Sequence, residues 1–273
     1  ELSLHYNSTN LTNIEWITTL TNLERVDLSL CWELKDIGPV AGLANLKDLN
    51  LEGLDLADIS PVSGLTQLTR LNLRNNSSVT DLSPLANLTS LTSLSLERCD
   101  QVSDILALAG LTNLEWLVIE CSEELKDISS LAGLTSLESL NLENCSQLTD
   151  VSPIAELTNL KNLSLSSSEN LEDIAPLAVL TNLQSLSLGG CFALEDISPL
   201  AGLTNLEKLN FDCCINLAKI SPLTSLRNLR DLDLSQCRQM KLEDIESLRE
   251  QLPECSIVRR EPPSSTLPAG ARS

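Results

Sequence analysis

Residues 134–156 read LTSLESLNLENCSQLTDVSPIAE, and the chain keeps rewriting this sentence. Its opening L-x-x-L tetrad recurs ten times, at Leu20, Leu43, Leu65, Leu88, Leu111, Leu134, Leu157, Leu180, Leu203 and Leu226. Eight of the nine intervals are 23 residues and one is 22. A fixed period of this size is the signature of a solenoid, in which each coil buries its leucines only against its neighbours.

Each part of the period has a physical reading. Leu140 and Leu142 alternate with period two after Leu137, which puts one side of a short strand inward. Three residues past Leu142 stands Cys145, with equivalents Cys31, Leu54, Asn76, Cys99, Ser122, Ser168, Cys191, Cys214 and Cys237. Where the chain turns out of the strand, backbone N–H and C=O groups need partners. A stacked column of Asn, Cys and Ser is placed to supply them. Leu148, Val151, Ile154 and Leu157 line the return side. There Ser152 followed by Pro153 reads as a helix cap and first helical residue. About eight residues remain for the return, enough for one or two 3₁₀ turns.

Written out as L-x-x-L-x-L-x-x-[N/C]-x-x-L, the pattern resembles the leucine-rich repeat family. The wording DISPLAGLTN of residues 196–205 is similar to its short bacterial, internalin-like class, and cysteine at the usual asparagine position to its cysteine-containing class. The resemblance spans roughly residues 20–248. It implies an α/β solenoid: a curved right-handed superhelix with a parallel β-sheet on the concave side and short 3₁₀ or α turns on the convex side. With strands ~4.8 Å apart, about eleven coils would span roughly 50 Å.

The ends depart from the pattern. Residues 1–19 form a degenerate first repeat, with Leu2 and Leu4 in strand positions and Leu11, Ile14 and Ile17 on the return side. They show no dedicated cap, and the chain begins inside a strand-like L-S-L, so we expect further sequence upstream in the whole protein. Residues 20–235 carry the repeats. Residues 236–258 read as a capping repeat: KLEDIESLREQL, ended by Pro253, has helical spacing through Leu242, Ile245, Leu248 and Leu252. Residues 259–273 lack periodicity and are rich in Pro, Ser and Ala, the composition of a disordered tail. The short copy at Leu43, around residues 52–55 with Gly53, should have a tighter loop.

Composition excludes several functions. The formal charge is −20, from 38 acidic against 18 basic side chains. Nucleic acid needs a basic stripe, and anionic membrane surfaces attract basic segments, so neither is an expected partner. A basic protein partner is. No apolar run reaches membrane-spanning length and none reads as a signal peptide. Nine cysteines with no C-x-x-C argue against zinc. Their odd count, and the parallel side chains of a stacked column, favour thiols in a reducing, cytoplasmic setting. A secreted or cell-surface location is the alternative. Cys213 and Cys214 are expected to be the most reactive pair.

No catalytic set emerges. The single histidine, His5, has no Cys or Ser–Asp company at useful spacing and reads as a surface residue. The aspartate at the return position recurs as Asp36, Asp58, Asp81, Asp104, Asp127, Asp150, Asp173 and Asp196. One carboxylate per coil is a structural column bonding backbone N–H groups, and calcium is a weaker reading because its loops gather several oxygens. No cofactor is assigned.

In leucine-rich repeats the outward positions of the concave strands most often hold ligands. Here the amino half of that face is mixed in charge, residues 139–189 are small and polar, and the carboxyl end is acidic. Trp116 would point to solvent from mid-sheet, and interface hot spots are enriched in Trp and Arg. The expected centre is therefore Trp116 with Val118, Arg70, Arg74, Glu97, Glu120 and Glu143. Trp16 and Trp32 are expected to pack. The sequence thus reads as a non-catalytic module binding a protein or peptide, the carboxyl-terminal sensor part of a larger intracellular protein. A secreted or surface adhesin and a ligand-free scaffold are the alternatives.

Overall fold

In the computed structural model, which describes residues 1–5 and 11–260, the strands form one parallel sheet in chain order. The strands are β1 (Leu2–Ser3), β2 (Arg25–Asp27), β3 (Asp48–Asn50), β4 (Arg70–Asn72), β5 (Ser93–Ser95), β6 (Trp116–Val118), β7 (Ser139–Asn141), β8 (Asn162–Ser164), β9 (Ser185–Ser187), β10 (Lys208–Asn210), β11 (Asp231–Asp233) and β12 (Ser256–Val258). Each pairs with its predecessor one coil away, so that Leu94, Leu117, Leu140 and Leu163 stand side by side. The middle residue of each triplet points inward, and the flanking two point to the concave surface, as the period-two pattern requires. Behind the sheet the core is a continuous aliphatic wall from Ile14 to Leu252, with Phe211 its one aromatic member.

The return side consists of short 3₁₀ segments, such as Ser152–Glu156 and Ser198–Gly202. The cap differs from the Ser-Pro expectation. The residue flanking each segment is apolar, Val151 or Ile197 for example, and Ser152 is already inside the turn. The cap is the aspartate: Asp150 Oδ1 accepts the Ser152 N–H at 2.8 Å, and Asp36, Asp58, Asp81, Asp104, Asp127, Asp173 and Asp196 do the same for the residue two further on. This is the structural column read from the sequence. A second column was not foreseen. The Asn of L-T-N-L donates Nδ2–H to the carbonyl 24 residues earlier, as Asn159 does to Thr135 and Asn182 to Thr158.

Where the chain leaves the strand, one residue per coil takes a left-handed conformation. Only Gly53 and Gly190 are glycines there; Leu30, Asn75, Arg98, Cys121, Asn144, Ser167, Cys213 and Gln236 are not. Such a conformation costs an L-residue roughly 1–2 kcal/mol. It is held because the same residue's N–H continues the ladder to the next coil, Cys121 to the Glu143 carbonyl at 3.0 Å for example. The short copy absorbs its deletion with one additional left-handed residue, Asp55 at φ 51°, after Leu54. Gly53 occupies the ordinary left-handed position, so Asp55 makes that loop tight.

The next residue in each coil faces the core. The thiols of Cys31, Cys99, Cys145, Cys191, Cys214 and Cys237 donate to carbonyls of the preceding coil at 3.0–3.3 Å. Asn76 accepts the Leu56 N–H and donates to the Leu51 and Leu73 carbonyls. Ser122 and Ser168 depart from the expected role: both hydroxyls are buried without a hydrogen-bond partner. Their side chains are shorter than cysteine's by the longer C–S bond, which leaves the donor short of the carbonyl.

At the carboxyl end α1 (Leu242–Gln251) buries Ile245 and Leu248 against the last coil. Arg227 donates to the Gln251 carbonyl and Arg249 to that of Ile257, tying helix to sheet. The tail expected at 259–273 lies, from residue 261 onward, outside the described residues. Among the described residues no helix is long and apolar enough to cross a membrane.

Candidate binding surface on the concave face

A coil-to-coil register stacks outward residues in rows across the sheet. Arg25, Asp48, Arg70, Ser93 and Trp116 form one row. Asp48 therefore sits between two arginines, forming an ion pair with Arg25 and accepting hydrogen bonds from Arg70. Its Oδ2 lies 3.2 Å from Arg25 Nε, and Arg70 meets the same oxygen through Nε and Nη2. Past the strand ends, Arg74 lies between two glutamates, with Nη1 2.8 Å from Glu97 Oε2 and Nε 3.5 Å from Glu52 Oε1. The latter is an ion-pair distance without hydrogen-bond geometry, since Arg74 Nε has no hydrogen-bond partner. Asn72 closes the network, donating to Glu52 and accepting the Arg74 N–H.

These groups, Arg25 apart, line a concavity of about 370 Å³. Its walls bring together four of the seven residues expected from sequence: Arg70, Arg74, Glu97 and Trp116. Asp48, Asn50, Glu52, Leu71, Asn72, Ser93 and Ser95 complete it. They were missed because each coil was read by itself; reading Arg25, Asp48 and Arg70 as neighbours in a row would have found the shared carboxylate. Glu120 and Glu143 stand in the same row as Glu97 but outside this concavity. Val118 is a correction: at 5% exposure its neighbours cover it, so it supports Trp116 and offers little contact area.

Trp116 is 42% exposed, and its neighbour in the chain, Leu117, is fully buried. Trp16 and Trp32, expected to pack, are 48% and 44% exposed. Exposure alone does not single out Trp116. Its place does: Trp16 lies in a return-side segment and Trp32 in the loop beyond β2, whereas Trp116 forms the wall of a charged depression.

The thiols do not form a reactive site. Burial pushes the Cys99, Cys145, Cys191 and Cys237 thiols up to about 12, and that of Cys214 higher still. A thiol that holds its proton is a poor nucleophile. The expected reactive pair is thus contradicted at Cys214; Cys213 is partly exposed, but desolvation and the neighbouring Asp212 raise it as well. Among the described residues no group of three or more His, Cys, Asp or Glu could hold a metal ion.

Comparison with known proteins now decides the family. A model of leucine-rich repeats in two copies matches residues 66–110, 158–202 and 181–224. The solved structure of an internalin, InlF, from Listeria monocytogenes is 31% identical, with 94% of this chain and 81% of that chain covered and a TM-score of 0.78. The chain belongs to the internalin family of leucine-rich-repeat proteins. A second Listeria internalin, InlC2, is 30% identical over 78% of this chain and 81% of that one, with a TM-score of 0.54. The functional domain of Listeria InlJ, described as including a cysteine ladder, shares the fold at 21% identity and a TM-score of 0.63, with 94% of this chain and 57% of that one covered. A search of curated proteins finds no match. In this internalin-like chain six column thiols and Asn76 make inward hydrogen bonds at the equivalent position of seven coils.

Proposed function

We propose that the protein is a non-catalytic recognition module that holds a basic protein or peptide segment on its concave face, centred on Trp116. The observation that carries this reading is the concavity itself. A half-exposed tryptophan beside two arginines fixed by carboxylates is the arrangement enriched at interface hot spots, where rigid side chains lose little entropy on binding. Charge supports a basic partner. Arg25, Arg70 and Arg74 are matched within the network by Asp48, Glu52 and Glu97, while Glu120 and Glu143 form no ion pair among the described residues. Family membership weighs toward the secreted or surface placement over the intracellular sensor. The thiols do not argue otherwise, because buried, hydrogen-bonded thiols of raised pKa persist in either setting.

The test is to pan a displayed library of random dodecapeptides against the protein and compare two variants. Trp116→Ala should lower binding of the enriched pool roughly tenfold or more, and Trp32→Ala, equally exposed but off the sheet, should leave it unchanged. Equal effects of the two variants would refute the reading.

A further inference from the structure

A second concavity, of about 380 Å³, opens at the carboxyl end of the same face. Ser185, Ser187, Lys208, Asn210, Asp231 and Asp233 line it. Its carboxylates differ from those of the amino half. Among the described residues no cation pairs with Asp231 or Asp233, even though Lys208 is the register neighbour of Asp231. Asp233 accepts the Ser235 N–H through one oxygen.

The two concavities share a row. Trp116, Ser139, Asn162, Ser185, Lys208 and Asp231 follow one another across β6 to β11. Between the two ends Ser139, Asn162 and Ser185 are short, and Lys208, beside Asp231, is the one long side chain there. The parallel row has Asn141, Ser164 and Ser187 over the same strands. The floor is thus low from Trp116 as far as Ser185, and Lys208 with the unpaired aspartates forms its far end. Hydroxyls there already bond one another, Ser166 to Ser187 at 2.7 Å, so the floor is fixed and not loose.

We propose that the two concavities are the ends of one groove, and that a single extended peptide segment crosses the strands within it. The segment carries an apolar or aromatic side chain for Trp116 and a lysine or arginine for Asp231 and Asp233. This rests on the concave-face reading above and adds the register of the ligand. Five strand steps of ~4.8 Å separate Trp116 from Asp231, roughly 24 Å, which extended chain covers in about seven residues. Charge complementarity selects the occupant: the amino-end arginines are already neutralised within the protein, whereas the two carboxyl-end aspartates outnumber the single Lys208 beside them, with which neither forms an ion pair.

The same dodecapeptide library tests it. Pools enriched on the wild type should pair an apolar or aromatic residue with a basic one about seven positions away. On Asp231→Asn/Asp233→Asn, where the Ser235 N–H keeps an acceptor, the basic position should lose its preference and binding should fall roughly tenfold while remaining dependent on Trp116. Ser164→Tyr, in the low floor, should also weaken those peptides. Pools that depend on Trp116 but show no fixed spacing, or that ignore the aspartate variant, would overturn the groove and leave the concave reading standing. Pools indifferent to Trp116 would overturn both.

Discussion

Trp116 and Leu117 are neighbours in the chain and belong to different regimes. Leu117 repeats, coil after coil, as Leu94, Leu140 and Leu163, and it is fully buried. Trp116 stands in register with Ser93 and Ser139 and repeats nothing. The inward face must match itself at every step, because each coil is the only surface on which the next can rest. The outward face has no such duty. Repetition therefore marks what holds the fold, and departure from repetition marks where recognition can lie.

The comparison breaks first at the inward face. Leu140→Ala should cost roughly 2–5 kcal/mol in urea unfolding, from lost burial and the cavity left between coils. Next comes the turn column. Asn76→Ala strips partners from the Leu56 N–H and the Leu51 and Leu73 carbonyls, and should cost roughly 1–3 kcal/mol. Ser122→Cys runs the other way. It replaces a buried hydroxyl without a partner by the group that bonds a carbonyl in six other coils, and should add about 0.5–1 kcal/mol. A polar exchange at outward Ser164, such as Ser164→Thr, should stay within about 0.5 kcal/mol.

Titration sharpens the same division. Column thiols such as Cys145 and Cys191 are raised from 9.0 to about 12 by burial. Unfolded thiols ionise first, so their contribution is complete below about pH 9 and is lost as pH rises toward 12. The aspartate column behaves oppositely. The backbone N–H and then the hydroxyl of the following serine hold Asp58, Asp81, Asp127, Asp150 and Asp196 below the usual carboxylate value. Their contribution is complete above the unfolded pKa of about 4 and is lost as pH falls through the folded values. These carboxylates are fully exposed, so the acid limb of the urea midpoint should be shallower than the alkaline one.

How much was legible follows from the same logic. Period 23, the inward leucines, the aspartate column and the parallel sheet were readable because each is stated many times. The Ser-Pro cap was misread because the side chain that caps the turn stands two residues before the serine. The exposure of Trp16 and Trp32 escaped because a residue that matches no column carries no information about its neighbours. The concave site was half legible. Trp116 announced itself as a departure, while Asp48 and Glu52 needed the register that sets residues 22 or 23 apart side by side. Val118 shows the converse error, since an outward position in the pattern is no guarantee of contact area.

One paired measurement on Trp116→Ala tests the division most directly: its urea midpoint, and its affinity for peptides enriched on the wild type. The account predicts a midpoint within about 0.5 kcal/mol of the parent and affinity lower by roughly tenfold or more. A variant that loses stability like Leu140→Ala, or that keeps its stability and binds the peptides as before, would contradict it.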